Sequence, residues 1–297
     1  MLRPDIDDVM IALHDAGVFY TLSTKSILSK KRIKKLYDKA GLDRIQLSLD
    51  SFDNKIVHKL LGVSLDYVDK FVKMVKDMQE IGMDVRIKAV LTSYNADSIE
   101  DYLNTAAALG IKHIQVVGYG RSGYRHTDDI FPSDEQMQKA SNAIQNFRIA
   151  HPEIELVGGG FGKSSESHKR EDVNTLEEMM KKRVICNAGR FSLLMLPNGE
   201  VFICEHLPYS KEFVLGDLRE DSLKDVWNGK GVRDWLSPPP RKIFSNSSAC
   251  KTCPDDYYNY CHQIYSRCLR FCREYTGDVN TPDRNCPYSD FEEIRVT

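Results

Sequence analysis

The sequence predicts an α/β fold followed by a small cysteine-rich domain. Three observations carry this expectation. Strand-like and helix-like segments alternate from the N-terminus to Gly120. No cysteine precedes Cys186, and all eight fall between Cys186 and Cys286. Between the two regions, residues 158–185 are Gly- and Ser-rich and then strongly charged, which reads as a linker or surface loop leading into a short helix. The expected organisation is therefore a first domain over 1–157, a linker over 158–185 and a cysteine-rich domain over 186–297.

The first region divides into elements in chain order. "PDIDDVMIALHDAG" has helical periodicity and stops at Gly17. "VFYTLSTK" is a short apolar strand. "SKKRIKKLYDKAG" is again helical, "RIQLSLD" is a strand, and "LDYVDKFVKMVKDMQEIG" is a long helix with Val68, Phe71, Val72, Val75 and Met78 on one stripe. "DVRIKAVLTS" (strand), "SIEDYLNTAAALG" (helix) and "HIQVVGYG" (strand) complete the alternation. Such units form a parallel sheet with right-handed crossovers, and ligands sit at the carboxyl ends of its strands. Those ends carry Ser23-Thr24-Lys25, Ser48-Leu49-Asp50, Thr92-Ser93 and Gly118-Tyr119-Gly120-Arg121. Each residue taken singly is explained by capping of the next helix; four converging polar ends favour a site. The polar stretch Tyr119–Asp129 is either a solvated loop or a substrate contact at the same rim. Gly158–Gly160 lacks the spacing of a nucleotide-binding loop.

The chain has 297 residues, 41% hydrophobic and 28% charged, with a net charge of -2. This composition is that of a globular chain with no overall field to draw it onto nucleic acid or an anionic membrane. No apolar run approaches the roughly 20 residues of a membrane span, and the N-terminus is not a signal peptide. A cytoplasmic location is expected, where structural disulfides are rare.

In the second region, "SLLML", Pro197-Asn198-Gly199 and "EVFIC" read as a hairpin that can bring Cys186 and Cys204 together. "GDLREDSLKDVWNG" reads as a short capped helix with Val226 and Trp227 facing in. Cys250 and Cys253 form a C-x-x-C knuckle. If "YYNYCHQIYSRCLRFCREY" is one helix, Cys261, Cys268 and Cys272 form one stripe, with Cys261 and Cys268 about 10 Å apart along the axis. Disulfides, zinc and iron–sulfur clusters compete for these thiols, and spacing alone does not separate iron from zinc.

Cys186, Gly199 and Cys204, with spacers of twelve and four residues, then Cys250-x2-Cys253, Cys268-x3-Cys272 and Cys286, fit the pattern C-x(9–15)-G-x4-C, C-x2-C-x5-C-x3-C, C. In this the chain resembles the radical S-adenosylmethionine (SAM) enzymes with a C-terminal SPASM domain, among them anaerobic sulfatase-maturating enzymes and peptide-modifying maturases. The front region resembles their (β/α) barrel, with "VFYTLSTK", "RIQLSLDS", "DVRIKAVLT" and "HIQVVGYG" as its third to sixth strands. The family's C-x3-C-x2-C loop and Gly-Gly-Glu-Pro segment have no counterpart here, and "MLRPDIDD" resembles the stretch immediately after the Gly-Gly-Glu-Pro segment. The resemblance thus implies a partial barrel lacking its first two strands and the cluster that cleaves SAM. Val18–Lys25 would then be an exposed edge strand that promotes self-association.

The resemblance also implies site residues. Ser48 would lie near the SAM ribose, with Thr24 and Asp50 as neighbouring cofactor-binding positions. Relatives often carry an Arg-Gly pair after the fourth strand; here Leu61 precedes Gly62. The metal ligands would be Cys186, Cys204, Cys250, Cys253, Cys261, Cys268, Cys272 and Cys286, holding two auxiliary 4Fe-4S clusters. Cys250, Cys253, Cys268 and Cys286 would hold one and Cys186, Cys204 and Cys272 the other. Fourteen residues separate Cys253 from Cys268 where the family has five. Cys261, inside that insertion, is either the second cluster's fourth ligand or a replacement for Cys268; the helical distance agrees with the first. In a complete relative, SAM is cleaved to a 5′-deoxyadenosyl radical that abstracts hydrogen from a peptide or protein, with electrons from a donor such as a flavodoxin or ferredoxin. The alternatives are an electron-transfer or substrate-recognition module without a catalytic centre, as a split or degenerate enzyme, and a zinc-stabilised binding domain. No catalytic residue is assigned.

Overall fold

The structure is a computed structural model describing residues 4–120, 127–158, 185–282 and Cys286. Most of the expected linker and the middle of the Tyr119–Asp129 stretch lie outside these residues. The chain divides into two compact units, the first containing the described residues up to Gly158 and the second those from Ile185 onward.

The first unit is a parallel sheet of five strands in the order β1-β2-β3-β4-β5. The strands are β1 (Leu22–Thr24), β2 (Arg44–Ser48), β3 (Asp84–Leu91), β4 (His113–Gly118) and β5 (Glu155–Gly158). Helices α1 (Ile6–Asp15), α2 (Lys30–Ala40), α3 (Asn54–Leu61), α4 (Tyr67–Ile81), α5 (Ile99–Ala108) and α6 (Asp134–Ala150) connect them. Sequential strand order is what right-handed β-α-β repetition generates. Four strands are expected from the sequence and the fifth, β5, is additional. Helices α3 and α6 are additional too, although α6 begins with a capping box in which Ser133 and Gln136 bond each other's backbone N–H. The expected strand over "VFYTLSTK" shortens to three residues at the sheet edge, with Phe19 outside it and largely exposed.

Strand β3 alternates half-buried and buried residues along its whole length. A parallel strand covered on both faces would be apolar throughout. Here Ile45, Leu47, Val85, Ile87, Ala89, Leu91, Ile114 and Val116 turn to one face and form the core with Ile33, Leu36, Phe71, Val75, Met78 and Leu103 of the helices. The opposite face carries Gln46, Ser48, Arg86, Lys88, His113 and Gln115, all half-buried. That polar face is where a ligand has access to the sheet.

The second unit contains a three-stranded antiparallel sheet, β6 (Leu194–Met195), β7 (Glu200–Phe202) and β8 (Val214–Asp217). Its hairpin pairs Leu194 with Phe202 and Met195 with Val201, as the Asn198-Gly199 turn predicts. Gly199 has φ 91°, a conformation that excludes most L side chains, which gives the motif glycine its physical reason. Helices α7 (Leu223–Trp227), α8 (Lys230–Leu236), α9 (Ala249–Thr252), α10 (Asp255–Tyr260) and α11 (Leu269–Thr276) complete this unit. Val226 of α7 is buried as expected, but Trp227 is 37% exposed, because a single helical turn has room for one inward residue beside Gly216.

Candidate functional site

At the carboxyl ends of β1–β3, one buried residue that sequence reasoning did not single out organises the backbone. The Asn95 side-chain oxygen accepts the N–H and hydroxyl of Thr92 at 2.7 and 3.0 Å. Its amide donates to the carbonyls of Asp50 at 2.5 Å and Val90 at 2.9 Å. Asp50 is itself buried. One carboxylate oxygen accepts the Val90 N–H at 2.9 Å and the other meets Lys25 Nζ at 3.1 Å. Asp50 therefore ties β2 to β3 and anchors the end of β1. The Tyr102 hydroxyl is fully buried without a hydrogen-bond partner, and burial, then the Asp50 charge, keeps its proton on.

The three expected cofactor positions part company here. Thr24 pairs in register with Leu47, on the helix-covered face, and its Oγ1 accepts the Ser26 N–H at 3.0 Å. Asp50 is committed to the bonds above. Ser48 pairs in register with Lys88, which pairs with Gln115, on the accessible polar face. Gln46 Nε2 donates to Ser23 Oγ at 3.0 Å on that same face. A groove on this face is lined by residues including Gln46, Arg86, His113, Gln115 and Glu155. The groove thus mixes amide, cationic and carboxylate groups, with His113 paired to Glu155 and Arg86 to Asp84, and suits a polar ligand.

The thiols are held by the second unit. None of the eight is in a disulfide. Among the described residues, no three His, Cys, Asp or Glu side chains form a compact single-ion site. Cys250 and Cys253 sit at either end of α9, beside a small cluster of Phe244 and Tyr258. Burial pushes the Cys250 thiol up to about 12, against the pull of Arg267, and the charges of Cys286, Cys261 and Cys253 add to the rise. Burial pushes Cys253 up to about 11, followed by the charges of Cys286 and Cys261. These four thiols therefore share one electrostatic neighbourhood. Cys204 is raised by burial and by Cys186, and is lowered by the His206 N–H and by Arg270, which lies between Cys268 and Cys272.

The single helix expected through Cys261, Cys268 and Cys272 is not formed. Helix α10 ends at Tyr260, Cys261–Tyr265 is a π-helical turn, and Ser266 breaks the helix with φ 58° and ψ 152° before α11 begins at Leu269. The three-thiol stripe is therefore broken, and Cys261 and Cys268 lie on opposite sides of a helix break. A non-glycine residue in this region costs about 1–3 kcal/mol, so surrounding contacts must hold it. Arg190 supplies them: Nη1 donates to Ser266 Oγ at 2.9 Å and to the Cys186 carbonyl at 3.4 Å, and Nη2 to the Gln263 carbonyl at 2.6 Å. Bonds from a charged donor contribute about 1.5–3 kcal/mol each, enough to offset the strain.

Arg267, also buried, stacks over Phe244 at 4.7 Å and donates to the carbonyls of Val279 at 2.7 Å and Thr281 at 2.6 Å. Its Nη1 lies 4.0 Å from Cys272 Sγ, and its Nε is a buried donor without a partner. A buried cation with an unused donor among thiols suits an anionic thiolate-ligated group. The residues present therefore fit iron–sulfur ligation, which uses cysteine thiolates.

Comparison with known proteins bears on both units. The radical SAM superfamily model matches residues 1–109, and the SPASM iron-sulfur cluster-binding domain model matches residues 186–254. The chain is 22% identical over 301 residues to the PqqA peptide cyclase of Granulibacter bethesdensis, covering 97% of this chain and 72% of that protein. Its fold superposes on Streptococcus suis SuiB bound to S-adenosylmethionine with a TM-score of 0.66 at 17% identity, covering 96% of this chain and 64% of SuiB. The same protein bound to its precursor peptide SuiA gives a TM-score of 0.66 at 19% identity, with 96% of this chain and 63% of SuiB covered. The chain thus spans a little under two thirds of SuiB. A parallel α/β unit followed by a thiol-bearing unit, matched in that order by the two family models, places this chain among the radical SAM proteins that carry a SPASM domain.

Proposed function

We propose that this chain serves a radical SAM/SPASM maturase that modifies a peptide or protein by hydrogen abstraction. The observation that carries this is the gathering of eight thiols in one unit, with four of them in one electrostatic neighbourhood. The peptide substrate is supported by the similarity to a PqqA peptide cyclase and to a SuiB that was solved with its precursor peptide.

Cys250, Cys253, Cys261 and Cys286 would hold one auxiliary 4Fe-4S cluster, and Cys186, Cys204, Cys268 and Cys272 the other. This assignment gives Cys261 the place that the sequence pattern reserves for Cys268, the second of the two options open from the sequence. When bound, such clusters supply one-electron transfer. The protein's part is to supply deprotonated thiols, to shield them, and to place a cation, Arg267, among them. On the sheet, Ser48, Lys88 and Gln115 would bind and orient a polar ligand such as SAM, with Asp50 and Asn95 holding the strand ends in place. An external one-electron donor is required.

A non-catalytic electron-transfer or recognition module is the second reading, since cluster ligation alone would account for the eight cysteines. Anoxic purification tests both. Two clusters correspond to roughly eight irons and eight sulfides per chain. The maturase reading further expects 5′-deoxyadenosine from SAM and dithionite once a polypeptide carrying the three-cysteine loop is added. Iron without deoxyadenosine under that condition would leave the module reading; zinc without sulfide would remove both.

A further inference from the structure

We infer that Arg190 is a positioning residue for cluster assembly, clamping the Cys186 loop to the helix break between Cys261 and Cys268. The inference rests on the proposed division of the thiols into two sets.

The clamp joins segments 76 residues apart in sequence. On one side, the loop Cys186–Arg190 turns on itself, with the Arg190 N–H donating to the Asn187 carbonyl at 3.0 Å and Gly189 at φ 71°. On the other, the π-helical turn ends at Ser266, whose hydroxyl donates to the His262 carbonyl at 3.3 Å, and no following helical turn bonds the Gln263 carbonyl. The Arg190 guanidinium takes up both, at 3.4 and 2.6 Å, together with the Ser266 hydroxyl and the Cys186 carbonyl. The Cys186 N–H completes the join by donating to the Tyr265 carbonyl at 3.0 Å. Cys186 and the start of the Cys268 segment are thereby held to one frame. Cys250 and Cys253 are placed by other contacts: Arg241 donates to the Cys250 carbonyl at 3.0 Å, and the Ser248 hydroxyl accepts the Cys250 N–H at 3.3 Å.

The consequence is selective. Losing Arg190 should loosen the set containing Cys186 and Cys268 and spare the set containing Cys250 and Cys253. A lysine cannot replace it, because one ammonium cannot fork across four acceptors on two segments.

The test uses the full chain, purified anoxically and reconstituted with ferrous iron and sulfide. Arg190→Ala and Arg190→Lys should each retain about half the iron of the parent, the share of one of two four-iron clusters. Electron paramagnetic resonance of the reduced protein should lose the signal that Cys186→Ala loses and keep the one that Cys253→Ala loses. Hydrogen exchange on the reconstituted chain separates this from simple unfolding: the Cys186 amide should lose protection in Arg190→Ala while Val201 in β7 keeps it. Ser266→Gly, which suits the positive φ and keeps the Arg190 carbonyl bonds, should retain full iron. Full iron with both signals in Arg190→Ala would overturn the inference and leave the cluster assignment standing. Equal loss of both signals would also overturn it. A parent chain without iron and sulfide would overturn the cluster reading, and the inference with it.

Discussion

Phe71, Ile33, Leu36, Leu47 and Met78 are fully buried in the sheet unit, in a core that runs from α1 to β5. The described residues of the cysteine-bearing unit form two smaller clusters. Its larger cluster centres on Val201, Phe202 and Leu215, and the small apolar cluster around Cys250 is built from Phe244 and Tyr258, with Cys253 packed against it. Its shape rests instead on arginine-to-carbonyl bonds, a strained serine and caged thiols. Apolar burial holds a chain without help; polar ties around buried thiols leave much of the stabilisation to the bound group. The sheet unit should therefore be indifferent to iron and the second unit should depend on it.

Iron removal should produce the largest effect. Treatment with a chelator under anoxic conditions should abolish slow hydrogen exchange from α9 to α11 and leave β2–β4 unchanged. Equal loosening of both units would erase the contrast. Next in size is Phe71→Ala, a wholly buried aromatic. It should cost about 3–5 kcal/mol in denaturant unfolding of the sheet unit, with the iron content per chain unaltered. Asn95→Ala should cost about 1–3 kcal/mol by leaving the Thr92 and Val90 backbone groups unsatisfied. Its exchange footprint should be confined to the ends of β2 and β3.

The smallest effect lies in the second unit and appears only in acid. Glu200 is held at about 2 instead of its ordinary 4.5, first by Lys211 and then by Asn198. The charged form is the one stabilised, so the benefit is complete above about pH 4.5 and is lost as pH falls toward 2. Glu200→Gln should flatten the melting temperature of the iron-free chain across that window and leave it steeper nowhere else.

Legibility from sequence differs between the units for the same reason. Periodicity marks β2, β3, β4, α2, α4 and α5, since each has one buried face. It misses β5, a four-residue strand of which only Leu156 is buried, and α6, whose Ser133-x-x-Gln136 cap is the available signal. In the second unit the cysteine spacing points to the SPASM family and the Asn198-Gly199 turn to the hairpin. Neither shows how the insertion folds, because no pattern announces a π-helical turn ended by a serine at positive φ. A continuous helix would put Cys261 in one stripe with Cys268 and Cys272, and the helix break at Ser266 interrupts that stripe. Arg190 and Asn95 stay hidden in the sequence because their partners are mostly backbone carbonyls and amides, many of them far away along the chain.

The division of the thiols is the claim on which the rest depends, and single-cysteine variants test it most directly. Cys253→Ala, Cys261→Ala, Cys268→Ala and Cys186→Ala would be reconstituted in parallel, and their reduced clusters compared by electron paramagnetic resonance and iron content. Cys261→Ala is expected to lose the same signal as Cys253→Ala, and Cys268→Ala the same signal as Cys186→Ala. If Cys261→Ala instead shares its loss with Cys186→Ala while Cys268→Ala matches Cys253→Ala, the spacing pattern governs ligation and the two proposed sets are wrong.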